Sequence, residues 1–140
     1  MLLILESVGV LILQTAVMSL LKLIIGGTIY YMLEILARGY SHPSMFLLGG
    51  ICFLLCGVIN NELTGHTGMW EKMALCMITI TILEFLTGLI VNGILHLNVW
   101  DYSRMPFHVL GQICLPYMIL WFFLSYPALI LNQIVDSWSY

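Results

Sequence analysis

The chain has 140 residues, 61% hydrophobic and only 8% charged, with a mean hydropathy of +1.05. Soluble domains carry about 25% charged residues, and a chain this small cannot hide so much apolar surface in one globular core, so the solvent must be lipid. Four Lys/Arg against seven Asp/Glu give a formal charge of −3, and no basic cluster could neutralise phosphates, which excludes nucleic-acid binding.

A membrane-crossing helix needs about 20 mostly apolar residues. Residues 2–21 reach that length but carry Glu6, Gln14, Thr15 and Ser19, and no Pro or turn cluster separates them from the apolar run after Lys22. One straight helix over both would be roughly 50 Å long, too long for the bilayer core. Residues 1–19 are therefore expected to form a helix of their own, either a fifth span or an interfacial segment.

The first clear span is expected from Leu20 to Ala37, closed by Arg38-Gly39-Tyr40-Ser41-His42-Pro43. Gly39 suits a left-handed cap and Pro43 the first turn of the next helix. The second span, Ser44 to Ile59, contains Gly49, Gly50 and Gly57, small residues that let helices approach closely in lipid. Asn60 to Lys72 is the most polar loop, with Trp70 as an interfacial anchor. The third span is placed over Met73–Leu95 and the fourth over Phe107–Leu131, followed by a polar, aromatic tail from Asp136 to Tyr140. The fold class is thus all-α, an integral membrane bundle of four core helices over residues 20–140. Lys22 and Lys72 balance Arg38 and Arg104 across the membrane, so orientation is unreadable by the positive-inside rule.

Ionisable residues inside a span are costly and normally face protein or a wet cavity. Glu34 precedes Arg38 by one turn, the favourable order for a helical ion pair. Glu84 is too deep for its short side chain to reach the interface. Steps of four from it give Gly88, Asn92 and His96, with Thr81 and Thr87 flanking it, so one polar stripe should face the bundle interior. The fourth span answers with His108, Gln112 and Pro116, where the proline would leave the Gln112 carbonyl without its helical donor. Trp100-Asp101-Tyr102-Ser103 closes the stripe at the membrane boundary. If Pro106 starts span four, Met105 is its cap and Asp101 is free to meet Arg38 or Arg104. The candidate substrate-binding set is Glu34, Arg38, His42, Glu84, Asn92, Trp100, Asp101, Tyr102 and Gln112. A packing role for the same residues, through interhelical hydrogen bonds, is the alternative.

The histidines make no i,i+4 ligand pair, so no metal site is expected. No nucleophile elbow or phosphate loop occurs, and neither a catalytic residue nor a cofactor is assigned. Cys52, Cys56, Cys76 and Cys114 all lie in apolar runs and read as small hydrophobes.

The motifs Gly26-Gly27-Thr-Ile-Tyr30-Tyr-Met-Leu-Glu34, Arg38-Gly39-Tyr-Ser41-His42-Pro-Ser44-Met45, Ile80-Thr81-Ile-Leu-Glu84-Phe85-Leu-Thr87-Gly88, Val99-Trp100-Asp101-Tyr102-Ser103 and Gly111-Gln112-Ile-Cys114-Leu-Pro116 occur in this order. In that series, residues 23–125 resemble the type IV ABC-transporter permeases, small and mainly bacterial multi-span proteins. The resemblance implies a transport component in a bacterial cell membrane. So few spans rarely enclose a pathway, so a homo-oligomer or other membrane subunits would be needed, together with a separate ATPase. A non-catalytic assembly or pore-forming partner is the second reading. An embedded enzyme acting on a lipid or hydrophobic metabolite comes third, because nothing in the spacing identifies a reaction.

Overall fold

The computed structural model describes residues 1–139, and the tail residue Tyr140 lies outside the described residues. The chain forms α1 (Leu2–Arg38), α2 (Pro43–Glu62), α3 (Met69–Gly88) continued by a π-helical turn (Leu89–Ile94), and α4 (Leu115–Ser137). All four helices are long and apolar enough to cross a membrane. By length and composition they make the chain a multi-pass integral membrane protein. Consecutive helices pack as neighbours, α2 touches all three others, and α1 barely meets α4.

The tightest seam joins α1 to α2, and glycines make it. A methyl group on Gly26 would collide with Cβ of Phe53, and one on Gly49 with Cβ of Tyr30. Gly27 and Gly50 each face a backbone carbonyl of the opposite helix, at Phe46 and Leu23. Helices in lipid gain little from hydrophobic burial, so this close approach is their means of association. The hairpin between them follows the sequence reading. Gly39 takes the left-handed conformation at φ 81° and donates its N–H to Ile35 O, and Pro43 opens α2.

The membrane face at the end of α2 carries two buried lysines. Lys22 Nζ lies 2.6 Å from Asp136 Oδ1, joining α1 to α4, and Asn61 adds a bond to Asp136 Oδ2. Lys72 Nζ donates to the Asn60 carbonyl at 3.1 Å and to Asn60 Oδ1 at 3.0 Å, where a cation complements the negative end of α2.

Two expectations need correction. No separate fifth helix forms among the described residues, since α1 runs unbroken for 37 residues. Ser19-Leu20-Leu21-Lys22-Leu23 contains neither Pro nor Gly to interrupt it. Its outer part is largely exposed, at Ile4, Leu5, Val8, Leu11, Ile12 and Val17, and Gln14 ties it to the chain after α4 by donating to Ser139 O at 2.7 Å. The fourth helix also begins at Leu115 rather than Phe107. Phe107, Leu110 and Gly111 all have positive φ, which a right-handed helix cannot accommodate. Pro116 therefore falls in the first turn, where its missing N–H costs nothing, and it makes no kink. Pro106 lies in a turn and starts no helix, so Met105 caps none.

Candidate functional site

The segment joining α3 to α4 folds back into the bundle instead of staying at the surface. Val99 and Trp100 are buried, although the backbone around them is irregular. Such backbone is tolerated at depth only when its polar groups are satisfied by protein or water. Asn92, in the π-helical turn, supplies much of that satisfaction. Its Oδ1 accepts from Val99 N–H at 2.7 Å, while Nδ2 donates to Trp100 O at 3.1 Å and Gln112 Oε1 at 2.9 Å. Trp100 Nε1 in turn donates to Gln112 O at 3.0 Å, and Tyr102 N–H donates to Gly111 O at 2.7 Å.

Asn92 is thus a lock on the reentrant segment. Asn92→Leu strands Val99 N–H and releases two carbonyl oxygens, at about 1 kcal/mol per bond. The Tyr102 amide, whose own partner Gly111 is untouched, should then exchange with solvent deuterium roughly tenfold or more faster, as read by mass spectrometry in detergent. Unchanged exchange at Tyr102 would show that the lock is elsewhere.

Beneath this lock lies Glu84, only 1% exposed. Its Oε1 accepts from Tyr102 Oη and its Oε2 from Trp121 Nε1, each at 3.0 Å. The three residues come from α3, the reentrant segment and α4, so the carboxyl group ties all three elements together. In this pair the Tyr102 phenol is the donor. Aromatic rings enclose the rest. Tyr102 stacks on Tyr117 at 4.6 Å, Tyr117 tilts against Trp121 at 6.2 Å, and Trp121 stacks on Tyr30 at 5.6 Å. Among the described residues no Lys, Arg or His lies within ion-pair distance of Glu84, because the ion pairs are Lys22–Asp136 and Glu34–Arg38.

Glu34 and Arg38 pair at 2.5 Å. Arg38 also donates to Val99 O at 3.2 Å, and Ser41 Oγ donates to the second Glu34 oxygen at 2.6 Å. This pair and Asn92 therefore meet at Val99, Arg38 on its carbonyl and Asn92 on its N–H. Trp100 and Gln112 are in the same cluster, though Gln112 arrives from a turn and its carbonyl is engaged by Trp100. His42 stays apart and caps α2, its Nδ1 accepting from Ser44 N–H at 3.2 Å. Asp101 is exposed and pairs with neither arginine. It closes a local turn by accepting from Ser103 N–H and Ser103 Oγ, both at 2.8 Å, and these bonds hold its carboxyl below the usual range. His96, expected at the end of the stripe, is exposed with φ 52°, because the helix ends at Ile94.

Three rings around Glu84 were not foreseen: Tyr30, Tyr117 and Trp121. A signal existed for Trp121. Tryptophan normally seeks the membrane interface, and a buried indole N–H needs an acceptor, so a tryptophan amid an apolar span points to a polar group nearby.

Beside this cluster, α1 and α4 diverge over α2 to leave a cavity of about 270 Å³ whose lining is almost wholly apolar. Gly26, Tyr30, Cys52, Trp121 and Ala128 are among its walls. Lipid-facing Ile29, Leu33 and Pro127 form its lips.

Residues 25–138 match the family described as "Putative ABC-transporter type IV". No curated protein and no solved structure matches the chain.

Proposed function

The chain belongs to that transporter family, and from this premise we propose that it is a permease subunit with its substrate contact at the Glu84 cluster. The observation that carries the reading is a carboxyl group only 1% exposed inside a span, held by two neutral donors and given no protein cation. An intramembrane ionisable group of this kind is functional by default, since packing alone would be served by a cheaper residue. Asn92, Trp100, Gln112 and the Glu34–Arg38 pair act as the frame that fixes Tyr102 over Glu84. His42 and Asp101 serve their local turns.

Four spans of this size do not enclose a pathway, so the transport unit is completed by further copies or other membrane subunits. In this reading ATP hydrolysis belongs to a separate subunit and the assembly sits in a bacterial cell membrane, consistent with a sequence that carries no phosphate-loop motif. Affinity purification of the full chain in mild detergent should recover an ATP-hydrolysing protein. Reconstituted ATPase activity should fall several-fold in Glu84→Gln while the assembly stays intact. Recovery of the chain without any ATPase, or equal activity with a lowered melting temperature in Glu84→Gln, would instead establish a packing role.

A further inference from the structure

The cavity between α1 and α4 and the Glu84 cluster share two walls, Tyr30 and Trp121. From this juxtaposition we infer that the site takes an amphiphile with an apolar tail and an ammonium head, entering sideways from the lipid. The inference rests on the Glu84 reading above and adds the chemical class of the substrate.

Three features select that class. The cavity walls are apolar and their lips belong to the lipid-facing surfaces of α1 and α4, so the compartment that fills it is hydrocarbon, and a tail enters without desolvation. Second, the surface that ends the cavity is aromatic. Trp121 donates its N–H to Glu84, and with Tyr30 it forms an aromatic wall of the cavity, the kind of surface that attracts a cation. Tyr30 lies against the same ring at 5.6 Å.

Third, the charge balance is incomplete. Lys22 is taken by Asp136, Arg38 by Glu34, and Lys72 by Asn60, which leaves Glu84 as the buried carboxyl group with no cation of its own. Glu84 itself does not line the cavity, so an ammonium head held at the Tyr30 and Trp121 wall supplies that charge from across the indole. A phosphate or carboxylate head would meet repulsion, and a neutral head would gain nothing from it.

The test uses the full chain in lipid nanodiscs, with binding measured against empty discs. Decyltrimethylammonium should bind saturably to the wild type, with roughly tenfold weaker binding to Glu84→Gln. That variant keeps an acceptor oxygen for Trp121 Nε1, its amide N–H can donate to the Tyr102 hydroxyl instead of accepting from it, and its melting temperature checks its fold. Decanol carries the same tail without charge, and its binding should be unaffected by Glu84→Gln. Tetramethylammonium carries the charge without the tail and should bind far more weakly than the decyl compound. Ala128→Phe, which fills the cavity from α4, should weaken decyltrimethylammonium binding by a similar factor.

Equal binding of decyltrimethylammonium to wild type and Glu84→Gln would overturn the inference, as would no saturable binding to either. If Glu84→Gln still abolishes stimulated ATPase activity in that case, the substrate class falls while the site stands. A response to protons only, with no ammonium binding, likewise removes the ammonium amphiphile as substrate and leaves Glu84 as the site.

Discussion

Replacing Gly49 by valine is expected to prevent the chain from assembling a stable bundle. The first added carbon would collide with Cβ of Tyr30, and the backbone of Gly26 lies just beyond it. Neither obstacle is the loose end of a side chain, so relief requires separating α1 from α2. Overpacking of this kind costs about 3 kcal/mol, with little hydrophobic gain available in lipid to offset it. The displacement would also carry Tyr30 away from Trp121. Thermal unfolding in detergent should show a large loss of melting temperature or no folded protein. Leu47→Val, on the lipid-facing side of the same helix, should leave the melting temperature nearly unchanged. Similar melting temperatures for the two variants would show that the glycine seam is not what joins these helices.

The second large effect is expected at Glu84, where two substitutions divide the roles of shape and polarity. Glu84→Leu removes the acceptor for both Trp121 Nε1 and Tyr102 Oη. Two stranded donors, Trp121 buried and Tyr102 half-buried, cost on the order of 2 kcal/mol. Glu84→Gln retains an acceptor oxygen and should recover most of that loss. The prediction is therefore a clear ranking of melting temperatures, with the wild type and Gln variant close together and the Leu variant well below. A Leu variant as stable as the wild type would mean that the carboxyl group has no part in joining α3, α4 and the reentrant segment.

Much of this arrangement is visible in the chain itself. Glu84, Gly88 and Thr81 do share a buried face, because a period of four survives wherever the helix is regular. Gly39 and Pro43 mark their hairpin because each imposes a backbone geometry that few other residues allow. The reentrant segment is harder. Phe107-His-Val-Leu-Gly-Gln-Ile-Cys114 is apolar enough to pass for helix, since hydropathy measures burial and is indifferent to backbone shape. Both Pro106 and Pro116 are suited to a first helical turn, and the choice between them is made by contacts far along the chain, such as Trp100 on the Gln112 carbonyl. The partners of Glu84 lie 18 and 37 residues away. No local pattern connects them; they meet only when the segment is folded in.

The length of α1 has a consequence for the membrane itself. Its 37 residues extend about 55 Å, while the 20 residues of α2 extend about 30 Å, the thickness of an ordinary hydrocarbon core. A bilayer matched to α2 leaves the outer end of α1 unmatched, and tilting alone would have to exceed the usual range of about 0–40° to hide it. The mismatch therefore falls on the bilayer or on a neighbour: lipid thickens around the bare helix, or another protein covers it. Hydrophobic mismatch sorts proteins among membranes of different thickness, so this one long helix gives the chain a preference for thick or crowded surroundings that its other three helices do not share.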